Sequence, residues 1–224
     1  MIPGPDQVIA CPSCGALALV FTLTSGNTCG ARFWTDGKML ASMLPAPPSV
    51  TKCRHCLGYF WVADAKIVGE IAPWEHDSDT IPEEWRRAEP VADLAEAECL
   101  EAITLSVARN KDEEMHLKVS AWHAGNDAYR EGVDANRDAL RLSWEHSPEA
   151  TDNLERLADL LTESDPDQRL MKAEILRELS RFPEALKLLR SRFPRDYTFL
   201  ARFIRDLTKK GDPVVREIPS GETG

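Results

Sequence analysis

Cys11-Pro12-Ser13-Cys14-Gly15 and Cys53-Arg54-His55-Cys56-Leu57-Gly58 are the two stretches on which the reading of this chain turns. In each, two intervening residues let a tight turn aim both sulfurs at one ion. A glycine after or near the second cysteine permits the backbone conformation that turns amides toward the thiolates. Together they offer four thiolates, Cys11, Cys14, Cys53 and Cys56, which close a tetrahedral sphere and leave no position for water. That is the donor set of a structural ion rather than a catalytic one.

The residues around the cysteines read as a small sheet. Leu17, Leu19, Phe21 and Leu23 alternate with Ala18, Val20 and Thr22, the period of a strand with one better-buried face. Ser25-Gly26-Asn27 makes a turn, Thr28 to Thr35 returns as a second strand stopped by Asp36-Gly37, and Tyr59 to Ala63 follows the second cysteine pair as a third. Three short strands have too little core to be stable alone, which gives a metal cross-link a physical role.

This order, knuckle, hairpin, second knuckle, strand, resembles the zinc-ribbon and rubredoxin-like family on Cys11-Pro-Ser-Cys14-Gly15 and Cys53-Arg-His-Cys56. The resemblance covers about a quarter of the chain and departs from the family in the long interval between the knuckles. It implies a three-stranded antiparallel ribbon over residues 1–72 holding Zn2+. Iron is the alternative that rubredoxin-like members use, but electron carriers of that kind are small free-standing domains. The family serves nucleic-acid binding, protein binding and electron transfer alike, so the resemblance selects a metal and not a function.

Cys29 stands alone near the hairpin turn and reads as a small strand residue. Cys99, with Ala95 and Ile103 one helical turn away on either side, reads as core. His55 sits inside a knuckle but is not needed where four cysteines are present. Arg32, Phe33, Trp34, Lys52, Arg54, Phe60 and Trp61 mix the cations and rings that single-stranded nucleic acid would require. The competing expectation is that a small sheet buries its rings and that the cations offset a negative tetrathiolate site.

Charge separates the chain into halves. Residues 1–70 carry five basic and four acidic side chains. The other 22 basic and 33 acidic residues give the remainder a balance of -11 within a net charge of -10. Such a surface repels phosphate backbones and suits a basic or amphipathic protein segment. No apolar run approaches the about 18 residues of a membrane span, and the start lacks the basic region of a secretory signal. The expected compartment is the cytoplasm, where cysteines stay reduced and paired C-x-x-C motifs read as metal ligands.

Beyond Pro73 the pattern turns helical. Thr80-Ile81-Pro82-Glu83 signals a helix start, with a first helix expected to run to about Arg109. Further helices are expected over Asp112–Arg130, Ala135–His146, Pro148–Leu161, Pro166–Leu179, Pro183–Ser191 and Asp196–Lys209, with Gly211 stopping the last. The domain this implies covers residues 80–211, and residues 212–224, with two prolines and two glycines, read as a mobile tail.

Within it, Leu170 to Leu189 resembles a tetratricopeptide unit at Leu179, Ser180, Phe182 and Ala185, where such units lock two helices at a tight turn. Trp122 to Tyr129 is similar to the start of another, with Asn126 where glycine is usual. The interval exceeds one repeat of about 34 residues, so the resemblance implies degenerate stacked hairpins and not a regular array. None of the metalloprotease, P-loop or hydrolase motifs occurs, and His76, His116, His123 and His146 are scattered. No catalytic or cofactor-binding residue is assigned. The expectation is therefore an α+β, non-enzymatic adaptor: a zinc ribbon joined to a helical domain that binds protein. The rival is a zinc-ribbon nucleic-acid-binding or transcription-related factor.

Overall fold

The computed structural model describes residues 1–75, 78–131 and 144–219. It is mixed α+β, with seven α-helices and sheets of two to four strands among the described residues. Two compact units form, one from Met1–Ala31 with Leu40–Leu94 and the other from Arg32–Met39 with Ala95–Gly224. This is not the linear division into 1–72 and 80–211. The stretch 73–94 belongs to the sheet unit, and an eight-residue segment from between the cysteine pairs belongs to the helical one.

The sheet unit is built on β2 (Asp6–Ala10), which follows the short β1 (Ile2–Pro3). Antiparallel to β2 on one side lies β3 (Leu17–Val20); β1 pairs with β4 (Leu23–Ser25). In the helical unit's inserted segment, β5 (Arg32–Phe33) opens a hairpin that β6 (Met39–Leu40) closes. Beyond it, β7 (Val50–Lys52) and β8 (Tyr59–Trp61) form a second antiparallel pair. On the far side of β2 runs β9 (Lys66–Ile71), and β10 (Glu89–Pro90) adds a parallel edge to β3, completing the order β10-β3-β2-β9. Gly69 lies against the Trp85 ring, where a Cβ would overlap the indole.

Both faces of β2 are covered. Val8 packs with Ile71 and Ile81 on one side, while Ile9 packs with Val20, Phe60, Cys11 and Cys53 on the other. The expected three-stranded sheet of Leu17–Leu23, Thr28–Thr35 and Tyr59–Ala63 is therefore not the one formed. Thr28 to Ala31 closes a turn, with Ala31 N donating to Thr28 O at 3.0 Å and Gly30 at φ 72°. A strand buried on both faces lacks the alternation that marks β3, and its pairing with β9 includes a bulge that leaves Val68 unmatched.

The first expected helix is also broken. Instead of running from Glu83 to Arg109, it splits into α1 (Glu83–Arg86), β10 and α2 (Glu96–Thr104). Pro90 is the cause, because proline lacks the N–H a helix interior needs and disfavours helical backbone at Glu89 before it. From there the helices follow expectation closely. They are α3 (Lys111–Glu131), α4 (Pro148–Leu160), α5 (Pro166–Glu178), α6 (Phe182–Arg190) and α7 (Thr198–Lys209). Ser147 Oγ caps α4 by accepting from Ala150 N at 3.1 Å, and Asp165 caps α5 by accepting from Gln168 N at 2.9 Å. The helix expected over Ala135–His146 falls mainly on residues 132–143, outside the described residues.

Each helix from α2 to α7 packs against the next. Trp122 of α3 meets Leu154, Leu157 and Ala158 of α4 and Ile175 of α5, while α5, α6 and α7 share Leu176, Ala185, Leu189 and Ile204. Ser180, at φ 59°, makes the turn between α5 and α6. The segment after α7 is not loose: Val214 and Val215 are 1% and 0% exposed, and Trp34 forms a bridge to Glu217. Two adjacent valines supply enough apolar surface to hold residues 212–219 in the unit, so the expected mobile tail does not begin at Asp212.

Candidate metal centre

Cys11 directly follows β2 and Cys53 directly follows β7, so the first cysteine of each knuckle is held in the sheet unit's core and is buried. Cys14 and Cys56 are exposed. The turns are conformational copies of each other. Gly15 N donates to Cys11 O at 2.9 Å and Leu57 N to Cys53 O at 2.8 Å. Both donors lie in the left-handed region, Gly15 at φ 74° and Leu57 at φ 61°. The second knuckle thus places a leucine, and not Gly58, where the expected role of glycine is filled.

All four sulfurs lie within 4.8 Å of one another, with Cys11 Sγ 3.9 Å from Cys56 Sγ and Cys14 Sγ 3.7 Å from Cys53 Sγ. A zinc–sulfur bond of about 2.3 Å gives a tetrahedron edge of about 3.8 Å. The tetra-cysteine group is therefore positioned to bind a metal ion, and it fits the ion size that closed thiolate sites hold.

The electrostatics of the bare thiols point the same way. Burial raises the Cys53 pKa, but the backbone amides of Cys56 and His55 and the neighbouring thiols outweigh this and bring it down to about 7. The Ala16 amide favours the Cys14 thiolate, yet desolvation and three facing sulfurs push it up to about 12. Burial likewise pushes Cys11 up, against the pull of the Cys14 and Ser13 amides. The Cys53 thiolate forms readily while Cys11 and Cys14 resist, because like charges crowd one point. A divalent cation removes that conflict, and binding it would release protons.

Cys29 and Cys99 lie outside the cluster; Cys29 is exposed, with its amide on Asn27 Oδ1 at 2.9 Å, and Cys99 is 1% exposed in α2. His55 does not join it either. His123 points elsewhere, with Nε2 3.0 Å from Asp36 O. Of the mixed basic and aromatic set, Trp34 and Phe60 are buried, Arg32 pairs with Glu217 at 2.6 Å, Arg54 pairs with Glu89 at 2.5 Å, and Lys52 lies over the Tyr59 ring. These groups are engaged within the protein.

In the helical unit an open cleft of about 1060 Å³ lies along α2, α3 and α4. Leu100 and Ile103 give it an apolar floor, and Glu96, Glu101, Glu149 and Asp152 outnumber Lys118 and Arg156 around it. A second polar feature of this unit escaped sequence reasoning. Asp36, Asn126, Arg130, Glu174, Arg177 and Glu178 are all buried there. Only an acid and a base at helical spacing, Glu174 and Arg177, could have signalled it. No helix among the described residues is long and apolar enough to cross a membrane.

No family model, curated protein or solved structure matches this chain.

Proposed function

We propose that this chain is a non-enzymatic, cytoplasmic adaptor whose four cysteines hold one structural zinc ion and whose helical unit binds a basic or amphipathic protein segment. The observation that carries the metal half is the spacing of the four sulfurs, which matches a closed tetrahedral site and leaves no coordination position for a reacting water. The acidic cleft supports the binding half, since carboxylates around an apolar floor complement a cationic amphipathic segment and repel phosphate.

The test uses the purified full chain. Metal analysis is expected to return one zinc per chain. A fluorescent Lys/Leu amphipathic peptide is expected to bind more weakly as salt rises, and at least tenfold more weakly to a Glu101→Lys, Glu149→Lys, Asp152→Lys variant. Single-stranded DNA or RNA of equal length is expected not to bind at physiological ionic strength. Tight nucleic-acid binding, or peptide binding indifferent to the three reversals, overturns the adaptor reading; a chain without stoichiometric zinc overturns the metal reading separately.

A further inference from the structure

The centre of the segment 32–39 is buried in the manner of a bound peptide's anchors, between the exposed Arg32 and Phe33 and the exposed Gly37 and Met39. Trp34, Thr35 and Asp36 are buried, while Thr24–Gly30 before them and Ser42–Pro47 after them are exposed. The segment turns on itself at Asp36-Gly37. Trp34 N donates to Lys38 O at 3.0 Å, Lys38 N donates to Asp36 Oδ1 at 3.1 Å, and Gly37 adopts φ 85°.

Its surroundings read it atom by atom. Along the backbone, Thr35 N donates to Arg216 O at 2.9 Å and Ile218 N to Phe33 O at 2.7 Å, so the C-terminal segment pairs with it through an antiparallel bridge at Trp34 and Glu217. Asp36 is held by the Arg130 guanidinium and by Asn126 Nδ2 at 2.9 Å, and its carbonyl by His123 at 3.0 Å. Lys38 Nζ reaches both Asp127 oxygens at 2.7 and 2.8 Å, and the Arg130 guanidinium stands 5.6 Å from the Trp34 ring centroid. The reading groups are themselves fixed from behind. Glu178 accepts from Trp122 Nε1 at 2.6 Å and from Asn126, while Arg130 also donates to His123 O and Asp127. They are thus pre-organised for a ligand.

We propose that α3, α5 and the C-terminal segment form a peptide-recognition site for a Trp-Thr-Asp-Gly-Lys turn, and that residues 32–39 are its ligand, held intramolecularly. The site is separate from the acidic cleft and does not depend on the metal reading. An outside turn of the same chemistry enters only when the chain's own turn leaves.

The probe is a fluorescein-labelled peptide with the sequence of residues 31–40. On the full chain carrying Trp34→Ala and Asp36→Ala, which weakens the resident turn, the peptide is expected to bind at least tenfold more tightly than to the unaltered chain. The same peptide with Asp36→Ala is expected to lose at least tenfold. Absence of binding to the folded variant, or equal binding of both peptides, overturns the proposal.

Should that variant fail to fold, protease sites placed after Asn27 and after Ser42, in the exposed flanks, leave every contact of the turn intact. After cutting, the excised segment is expected to stay bound and to exchange with excess labelled peptide while helical circular dichroism is kept. Loss of that signal on release marks the segment as ordinary core, and failure to exchange does the same; either result overturns the proposal.

Discussion

Asp36 and Arg130, 94 residues apart in the chain, form an ion pair whose side chains are 0% and 3% exposed. A buried charge stripped of its partner is costly, whereas removing both partners together is far less so. Asp36→Ala or Arg130→Met alone is expected to destabilise the helical unit by about 3–5 kcal/mol. The double variant should cost clearly less than the sum of the two. Urea unfolding of the four proteins measures the difference, and additivity would show that the pair does not act as one.

The metal centre makes its own prediction. Cys56→Ser removes one corner of the tetrahedron and is expected to abolish stoichiometric zinc while most helical circular dichroism remains, since the helices draw their core from other residues. Replacing Cys29 and Cys99 with alanine is expected to keep the metal, with the buried Cys99 change costing about 1 kcal/mol. Zinc retained in the Cys56 variant, or lost from the Cys29/Cys99 variant, would mean that the coordinating set differs.

Acid should weaken the helical unit through its histidines. Burial lowers the pKa of His116, His123 and His146 below their ordinary 6.5. A group depressed in this way contributes stability that is present above the unfolded value and lost as pH falls through the folded one. Glu178 acts in the opposite sense: burial and nearby acids raise its pKa, so its contribution is present below the ordinary 4.5 and lost as pH rises. His123→Gln keeps a donor for the Asp36 carbonyl without a titrating ring. It is expected to flatten the fall in unfolding free energy as pH drops below about 6.5 by up to about 1.4 kcal/mol per pH unit. An unchanged slope would remove His123 from the acid response.

What was legible in the sequence is what short-range chemistry dictates. Ser147-Pro148 and Asp165-Pro166 marked helix starts because capping needs only a side-chain oxygen and the next turn of backbone. The four cysteines were legible because knuckle spacing is local. The pairing of β3 with β2 was not, because Val8 and Ile9 are buried on opposite faces and leave no alternation to follow. Leu57 at φ 61° was also hidden: Gly58 beside it is the residue that composition would choose. Least visible was the fate of Trp34-Thr35-Asp36. Its partners lie on α3, on α5 and past residue 211, and the Asp-Gly signal at 36–37 described a turn without saying what would surround it.

The segment after α7 provides the sharpest test of that assembly. Gly211, at φ 62°, ends the helix, and the chain then runs back to join the inserted turn. Arg177, fully buried, donates to the carbonyls of Asp212 and Val214, and Thr35 Oγ1 accepts from Arg216 N at 3.0 Å. Ending the chain at Gly211 strands the Arg177 guanidinium and also Thr35 N, which loses the Arg216 carbonyl, each at about 1–3 kcal/mol. It also removes two buried valines worth about 1.5–3 kcal/mol apiece. Against a typical domain stability of about 5–15 kcal/mol, that loss is expected to leave the helical unit without a cooperative thermal transition. The milder Val215→Ala should lower stability by about 2 kcal/mol and keep the transition. Thermal unfolding followed by circular dichroism distinguishes the cases, and a truncated chain that melts like the full one would show that residues past Gly211 contribute nothing to the helical core.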